Sequence, residues 1–447
     1  MTDLFRSYQT VEKCRRGIFQ PSPSAEHGSQ NVDCHRHFVI ASVRYRSQLN
    51  SSTGSYAPER PISRQQARHK RSGNITVLAA VFMALMLVMV AFAVDLGMIC
   101  VAKGELQRSA DAAALAAANE LLHQRMIQQK NSSMKAAHKA VMDAAVSFAK
   151  LNAVGRVGPD VDRNPTNHRD GEIVVGELVR SNNRSPSLAF KDPMQFNSVA
   201  VDVKRSGGRN GEVSLFFARV IGQQSIAVEA HAQAAFLQSF KGFRIPPGDA
   251  PPTLMILPFA LDSAAWRAAQ KGIGPDDCGW DAERERVLSD GDGIPEIHLF
   301  PLDTGAGGNF GTVDLGGNNS NTPTLRRHIV SGVTAADLDF HGGALVLDEQ
   351  GELTLSGDPG LKAGAIEPEL RKIIGEPRIV PLYSDVTRNG NQAQFTIVGF
   401  IGGRVLDVDL TTSKKFIKIQ AAPMITRGGI EGRSGTSQIF SPVALVK

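Results

Sequence analysis

ITVLAAVFMALMLVMVAFAV, at residues 75–94, is an apolar run without a charged residue, a proline or a glycine. A helix of these 20 residues spans about 30 Å at about 1.5 Å per residue, which matches the hydrocarbon layer of a bilayer. A helix also satisfies its own backbone polar groups, as lipid requires. The run therefore predicts one transmembrane helix. The residues assigned to this membrane anchor are Ile75, Leu78, Phe82, Leu85, Val88 and Val94.

Two other interpretations of the run are a buried core helix and a cleaved signal peptide. A soluble core helix rarely stays uncharged over such a length, which argues against the first. The tripeptide Ala91-Phe92-Ala93 fits a small-x-small cleavage site. However, the run is longer than a typical signal-peptide core and begins far from the N-terminus, so an uncleaved anchor is favoured.

The charges beside the run predict its orientation. The basic residues just before it are Arg64, Arg68, Lys70 and Arg71. After it come Asp95, Lys103 and Glu105, with no comparable basic excess. The positive-inside rule then places the N-terminus in the cytoplasm and the chain after about Val101 outside, which is the periplasm in a bacterium with two membranes. Asp95 is expected at the interface, and pairing with a partner helix is the alternative.

The basic excess of the chain belongs to the segment before the run. Residues 1–74 carry 12 Lys and Arg against 5 Asp and Glu, a net charge of +7, whereas the whole 447-residue chain carries +5. The remaining residues therefore carry a net charge of −2. This distribution does not predict a nucleic-acid-binding face on the rest of the chain. The 4 cysteines show neither metal-site nor redox spacing.

Residues 1–70 show no sustained hydrophobic period. They are rich in Ser, Gln, Arg and His, with PSPS at residues 21–24 and SSTGS at residues 51–55. Such a composition buries too little apolar surface to offset chain entropy, so a disordered basic tail is predicted. A translation start downstream of this tail is an alternative interpretation.

A second helical pattern follows the apolar run directly, and the transmembrane helix is predicted to continue into it as an Ala-rich helix packed on a small sheet. In VAKGELQRSADAAALAAANELLHQRM, residues 101–126, small and apolar residues recur on one helix face. These are Leu106, Ala110, Ala113, Ala114, Ala117 and Leu121. A slim alanine face lets another element approach closely, so ordinary core packing is predicted for it. A further helix is predicted at residues 134–151.

The apolar run, its flanks and the alanine pattern together contain a series of motif residues. They are Arg71 and Gly73 before the run, Ala93–Val94–Asp95–Leu96–Gly97 at its end, Lys103–Glu105–Leu106–Gln107, and Ala110–Asp111–Ala112–Ala113–Ala114–Leu115–Ala116. This block, residues 71–118, resembles the N-terminal region of TadE/TadG-like Flp pilus-assembly proteins. The resemblance implies an inner-membrane component of the tight-adherence secretion system, which assembles thin type IVb-like pili.

Two departures from the family pattern narrow this expectation. Prepilins of the family carry a Glu five residues after the Gly, but Gly73 is followed by Asn-Ile-Thr-Val-Leu. Cleavage by a prepilin peptidase is therefore not expected, and the TadG-like side of the family is favoured. Longer members also carry a von Willebrand A domain with an Asp-x-Ser-x-Ser site. The nearest stretch, residues 259–266, lacks that spacing, so no such domain is predicted.

The chain after residue 171 shows residue patterns that are typical of β strands. Residues 172–179, 198–204 and 225–235 alternate as strands do, and residues 215–221 suggest a short helix. Together with the alanine helix they predict a small α+β module, similar to the first exported module of the same family. Residues 240–253 are rich in Pro and Gly and are assigned to a linker.

The remainder predicts a mostly β domain, and the fold class of the whole chain is α+β. The candidate strands are residues 254–261, 310–313, 345–347, 353–355, 379–383, 394–401 and 416–421, and the candidate helices are residues 324–331 and 367–374. The predicted domains are a tail at 1–70, a transmembrane helix at 71–102, an exported α+β TadG-like module at 103–239, a linker at 240–253 and an exported β domain at 254–447.

Residues with possible site chemistry are few and scattered. Ser289-Asp290-Gly291-Asp292-Gly293 resembles a loose calcium loop, but position twelve from Asp290 is Pro301 and not a glutamate, so a surface turn is favoured. His328 and His341 lie apart from any cysteine, which argues against zinc. Ser263 lacks a nucleophile-elbow context, and the chain has no P-loop. No catalytic, cofactor-binding or metal residue is predicted.

The predicted function is therefore a non-enzymatic, single-pass component of a Tad/Flp-type pilus assembly and secretion system. The expected partners are membrane lipid and other pilus-assembly proteins, with no nucleic acid, no cofactor and no small-molecule substrate. A surface adhesin or envelope-binding protein displayed through that system is the alternative. A hydrolase would need a catalytic constellation, which the sequence does not present.

Overall fold

A computed structural model describes residues 75–127, 134–181, 184–246, 248, 253–300, 311–316, 321–357, 363–387, 393–411, 415–432 and 436–446. The predictions made for residues 1–70, for Arg71 and for Gly73 lie outside these ranges. The described residues form six α-helices and 23 strands. The helices are α1 (Ile75–Ile127), α2 (Met134–Leu151), α3 (Ser263–Gln270), α4 (Thr322–Ser331), α5 (Ala335–Leu338) and α6 (Ala363–Lys372).

Most strands are short, and they fall into two groups along the chain. The earlier ones are β1 (Ile173–Ser181), β2 (Arg184–Ala189), β3 (Ser198–Arg205), β4 (Val213–Ser214), β5 (Ser225–Ile226), β6 (Val228–Ala235), β7 (Phe240–Arg244), β8 (Thr253–Leu254), β9 (Leu261–Asp262), β10 (Gly279–Asp281), β11 (Arg286–Leu288) and β12 (Glu296–Phe300). The later ones are β13 (Val333–Thr334), β14 (Ala344–Val346), β15 (Leu353–Ser356), β16 (Pro377–Thr387), β17 (Gln394–Asp409), β18 (Phe416–Ala421), β19 (Met424–Ile425), β20 (Gly429–Glu431), β21 (Thr436–Ser437), β22 (Ile439–Phe440) and β23 (Ala444–Leu445).

Helix α1 is continuous over 53 residues, about 80 Å at about 1.5 Å per residue. The apolar run and the alanine pattern are thus two parts of one helix. Residues 75–90 are exposed, whereas Leu106 and Ala110 to Ala118 present a face that is buried in the protein. Gly104 causes no break, since the tertiary packing of the neighbouring turns outweighs its weak helix propensity.

The first module is a five-stranded antiparallel sheet in the order β2-β1-β3-β6-β23, with α1 and α2 packed on it. Strands β3 and β6 pair without a break from Ser198–Ala235 to Arg205–Val228. The core between helices and sheet joins fully buried alanines of α1 to the inward side chains of the strands, such as Val201. Small residues on α1 are needed here because two layers, α2 and the sheet, both approach it.

Strand β23, near the end of the described residues, adds an edge strand to this first sheet. Strand β23 pairs with β6 through Ala444–Ala235 and Leu445–Ala234. The ring of Phe440 packs edge-on against Phe236, with the ring centroids 5.8 Å apart. The chain thus returns to the first module after building the second, which the order of residues alone does not indicate.

The second module is built on the long β16–β17 hairpin, flanked in the order β12-β18-β17-β16-β9. Strands β15 and β21 also pair with β17. Helices α3, α4 and α6 cover one core, which contains Trp266, Leu325 and Leu370. A second core on the other side contains Phe243 and Phe400, whose rings meet edge-on at 5.1 Å.

The α+β fold class predicted from the sequence is confirmed, and so are the helix at residues 134–151 and most predicted strands. Several stretches differ. The predicted strand at residues 254–261 is present only at its ends, as β8 and β9, and Thr312 and Val313 of the predicted strand at residues 310–313 form only isolated bridges. The predicted linker at residues 240–253 contains β7, because Phe240 and Phe243 are fully buried and override the Pro and Gly signals that follow them. The predicted helix at 215–221 is only a 3-10 turn, Ala218–Ile221, which ends at Gly222. Helix α3 and strands β2, β10, β11 and β12 are among the elements that were not predicted.

A close backbone approach in the second module gives a stability prediction. Gly375 has φ +87°, and an added Cβ would lie 2.1 Å from the Trp280 ring. That ring is held by Arg404, whose guanidinium lies 4.7 Å from the ring centroid and donates to the Gly375 carbonyl at 2.7 Å. Gly375→Ala is expected to lower the free energy of unfolding by about 2–4 kcal/mol, because backbone strain and a clash add together.

The matched control is Gly351→Ala. Gly351 has a similar φ of +83°, but no atom lies within 4 Å of the added Cβ. This variant isolates the cost of the left-handed backbone, about 1 kcal/mol. Chemical denaturation of both variants is the measurement. If the free energy of unfolding falls equally in the two variants, the contact with Trp280 does not restrict the residue at position 375.

Candidate functional site

The site is the junction where the apolar run of α1 meets the first module. Asp95 is the first residue after the run, and it is only 5% exposed, while both its neighbours in the chain are exposed. A carboxylate buried at such a point needs hydrogen-bond donors around it, because an unpaired buried charge is costly. The sequence predicts an interfacial position for Asp95, with pairing to a partner helix as the alternative. In the structure, the hydrogen-bond donors to the Asp95 carboxylate come from the same chain.

Three consecutive backbone N–H groups donate to the Asp95 carboxylate. Phe216 N lies 2.7 Å from Oδ1, while Phe217 N and Ala218 N lie 3.0 Å and 2.6 Å from Oδ2. Successive amides around one anion form a nest, and hydrogen bonds to a charged acceptor are roughly twice as strong as neutral ones. Asp95 therefore fastens the segment at residues 215–218 to the end of the apolar run, 121 residues away in sequence.

The fastened segment is the tip of a small hairpin. Strands β4 and β5 pair through Val213–Ile226 and Ser214–Ser225. Leu215 N then donates to the Gln224 carbonyl at 2.9 Å, which closes the base of the loop. Gly222 takes φ +92° and ends the 3-10 turn. The strands and turn of this hairpin, residues 213–226, are thus held by their own backbone, while Asp95 holds the tip.

Four large apolar side chains at the tip face away from the protein. We call them the apolar tip: Phe216 is 68% exposed, Phe217 41%, Val220 89% and Ile221 85%. Among the large hydrophobic residues that the structure describes, Val220 and Ile221 are the two most exposed, including those of the apolar run. Such a cluster is uncommon on a soluble surface and marks an interaction site.

Other family-motif residues of α1 connect the helix to the module. Glu105 accepts from Gly155 N at 2.7 Å. Gln107 Nε2 donates both to the His231 carbonyl at 2.9 Å and to Asp111 Oδ1 at 2.8 Å. The motif polar residues therefore tie successive turns of α1 to the loop after α2 and to β6.

The remaining motif positions divide between core and surface. Leu106, Ala110 and Ala114 are fully buried in the core shared with the sheet. Gly97 and Lys103 are exposed. Among the motif residues that the structure describes, Asp95 is thus the one that binds the hairpin, whereas Leu106, Ala110 and Ala114 belong to the core shared with the sheet.

A cavity of about 850 Å³ lies at the opposite end of the first module. It is lined mainly by apolar side chains, including Leu121, Met142, Phe190 and Phe196. Arg125 at its edge donates to the Phe196 carbonyl at 3.2 Å, and burial lowers the pKa of its guanidinium. At about 1.5 Å per residue, the 26 residues from Asp95 to Leu121 place this cavity about 40 Å along α1 from the junction.

The calcium-like loop is held by hydrogen bonds to its backbone amides and to the Asp292 carboxylate. Asp276 accepts from Asp292 N and Gly293 N, both at 2.9 Å, and Asp292 accepts from Gln420 Nε2 at 2.7 Å. This is the pattern of a structural turn. Burial, together with the neighbouring Glu296, raises the pKa of the Cys278 thiol to about 11, so this thiol stays protonated at neutral pH.

The histidines and Ser263 also have structural surroundings. His328 lies 3.3 Å from the Asp337 carboxylate, and desolvation lowers the pKa of His328. Desolvation opposes ionisation of Asp337, but hydrogen bonds from Arg327 and Thr334 lower the pKa of its carboxyl overall. Ser263 begins α3, next to its N-cap Asp262. Within the described residues, no group of three or more His, Cys, Asp or Glu side chains is placed to hold a metal.

These features define a class of protein in which one long helix joins a bare apolar segment to an α+β module. Residues 73–120 match the family model Tad, described as putative Flp pilus-assembly TadE/G-like. The match confirms the resemblance inferred from the sequence and identifies this part of the chain as a Tad domain. It supports involvement in Flp pilus assembly and interaction with pilus-assembly components. No curated protein and no solved structure is a significant match.

Proposed function

We propose that the protein is a non-enzymatic, membrane-anchored component of a Tad/Flp-type pilus assembly and secretion system. The observation that carries the proposal is that the Tad match, residues 73–120, covers the apolar run, Asp95 and the alanine face of α1. These matched residues lie in one helix, α1, which connects the candidate anchor to the first module. In this role the chain holds its modules at the outer surface of the inner membrane, where other assembly proteins meet them.

Support for the anchor comes from the exposure of the apolar run. Among the described residues, α1 is the helix that is long and apolar enough to cross a membrane, and none of its most apolar window is buried in the protein. Exposed apolar surface of this extent is unfavourable in water and favourable in lipid. The proposed orientation has the N-terminus in the cytoplasm and both modules in the periplasm, from the basic residues before the run.

Support for a non-enzymatic role comes from how polar groups are used. Asp276, Asp292, Asp337 and Glu296 accept hydrogen bonds from backbone or side-chain groups of the fold. A catalytic carboxylate instead faces a cleft where a substrate can reach it. These acidic residues therefore have structural roles.

A topology measurement tests the anchor and its direction. Alkaline phosphatase fused after Lys447 is expected to be active, since the enzyme folds only outside the cytoplasm. Deleting residues 75–94 from the same fusion is expected to abolish that activity. An inactive fusion, together with an active cytoplasmic reporter at the same site, would contradict the proposed direction.

A deletion strain tests the role in pilus assembly. Loss of the gene is expected to remove surface pili, and the full chain supplied in trans is expected to restore them. Fractionation then separates this role from that of a displayed adhesin. Retention in the inner membrane agrees with an assembly component, whereas recovery from the medium or the outer membrane would favour the adhesin.

A further inference from the structure

We propose that the apolar tip, Phe216, Phe217, Val220 and Ile221, inserts into the membrane surface beside α1 and gives the protein a second lipid contact. The occupant of this surface is the headgroup and upper acyl region of a phospholipid leaflet. The inference rests on the proposed membrane anchor and adds to it. It assigns to the hairpin at residues 213–226 a function that neither the family match nor the sequence patterns indicate.

The position of the tip along α1 is the first support. Its backbone amides bind Asp95, and Asp95 follows Val94, the last residue of the uncharged run. One residue of helix is about 1.5 Å, so this carboxylate lies at the depth where the anchor leaves the hydrocarbon. Val220 and Ile221 lie two and three residues beyond Ala218, within about 10 Å of it even for extended chain.

The burial pattern of α1 is the second support. Within residues 75–94, all of which the structure describes, Ala91 is the one residue that is partly buried rather than exposed. It lies one helical turn before Asp95, on the face that continues through Ala102 and Leu106 into the module. The burial of this helix face by the rest of the protein therefore extends about one turn into the apolar run. It does so on the side of the helix where Asp95 binds the hairpin.

The chemistry of the tip is the third support. Aromatic and β-branched side chains on one short turn match the apolar side of interfacial membrane segments, which enter about 5–10 Å into the headgroup and acyl boundary. Arg219 stands between the two apolar pairs in sequence, and a cation at this depth is attracted to lipid phosphate. The backbone amides at the tip are already paired with Asp95, so entry into lipid leaves fewer unpaired donors.

Lipid is favoured over a protein partner because the tip continues the apolar surface of the run. Any leaflet that surrounds residues 75–94 reaches the last turn before Asp95, and the hairpin is fastened at that same point. A protein partner would have to displace lipid from this position. The second contact would also restrict rotation of α1 about its own axis. A single helix in a fluid bilayer has no such restriction.

The test places tryptophan at matched positions in the full chain, reconstituted in phosphatidylethanolamine–phosphatidylglycerol vesicles with brominated acyl chains. Ile221→Trp reports on the tip and Leu85→Trp on the middle of the apolar run. Ile273→Trp is the control, since Ile273 is 63% exposed after α3 in the second module. The parent chain, with Trp266 and Trp280, supplies the background emission.

The proposal expects the emission added by Ile221→Trp to be quenched, as for Leu85→Trp, while that of Ile273→Trp is not. Adding Asp95→Asn to Ile221→Trp is expected to weaken the quenching, because the tip is then released. Quenching of Leu85→Trp without quenching of Ile221→Trp would overturn this inference and leave the anchor standing. A blue-shifted but unquenched Ile221→Trp would indicate a protein contact and also overturn it. Absence of quenching at both positions would overturn the anchor and this inference together.

Discussion

Replacing Asp95 with asparagine is expected to release the hairpin at residues 213–226 from α1 while the helix itself stays intact. The carboxylate accepts from three backbone amides, and asparagine offers one neutral oxygen and an amide group that repels donors. Hydrogen bonds to charged acceptors contribute about 1.5–3 kcal/mol each, so the local stability of the hairpin should fall by at least about 2 kcal/mol.

Cleavage by trypsin after Arg219 measures this release. Proteolysis of a transiently opened segment follows the population of the open form, so about 2 kcal/mol predicts cleavage about 30-fold faster. The matched control is Asp111→Asn on the same helix, since Asp111 accepts from the neighbouring Gln107 at 2.8 Å and not from the hairpin. Equal cleavage rates for the two variants would show that Asp95 does not hold the hairpin.

Introducing a carboxylate at Ala114 is expected to destroy the packing of the first module. Ala114 is fully buried in the core between α1, α2 and the sheet. An ionised aspartate there has no partner, and an uncompensated buried charge costs about 3–5 kcal/mol. Ala116→Asp is the control, since Ala116 is only half-buried on the same helix. Urea denaturation of the full chain in detergent micelles, followed by circular dichroism, which reports on α1 and α2, measures the difference.

The pH dependence of this variant has a definite sign. Burial raises the pKa of a carboxyl group in the folded state above its unfolded value. The Ala114→Asp variant is therefore least destabilised at pH values below the pKa of the carboxyl group in the unfolded state. Its loss of folding free energy grows as the pH rises from that pKa to the pKa in the folded state. A deficit that is independent of pH would mean that the introduced side chain reaches solvent.

Sequence patterns predicted the parts of this fold that depend on local order. The uncharged run and the alanine face each repeat within one helix, and both follow from hydrophobicity and helix periodicity. Strands such as β3 and β18 were found because their alternation is regular. The motif order around Asp95 also identified the Tad domain, although it did not say what Asp95 binds.

The candidate site escaped prediction because its two halves are far apart in the chain. Asp95 meets Phe216 across 121 residues, and no periodicity links them. A signal was nevertheless present: LFFARVI at residues 215–221 places large apolar residues around a single arginine, in a segment too short for a core helix. Strand β23 was missed for the same reason, since its partner β6 precedes it by about half the chain. Phe240 was assigned to a linker because local Pro and Gly signals do not report burial.

The return of the chain end to the first sheet has a consequence for the timing of folding. On the proposed topology, residues emerge from the membrane in order from α1 onward, and β6 emerges long before β23. The edge of β6 that pairs with Ala444 and Leu445 therefore stays open until the second module and β23 have crossed. An open edge invites pairing with other strands. Closure of the first sheet by β23 therefore follows export of the second module, and chains stalled before Ala444 would carry an unpaired β6 edge.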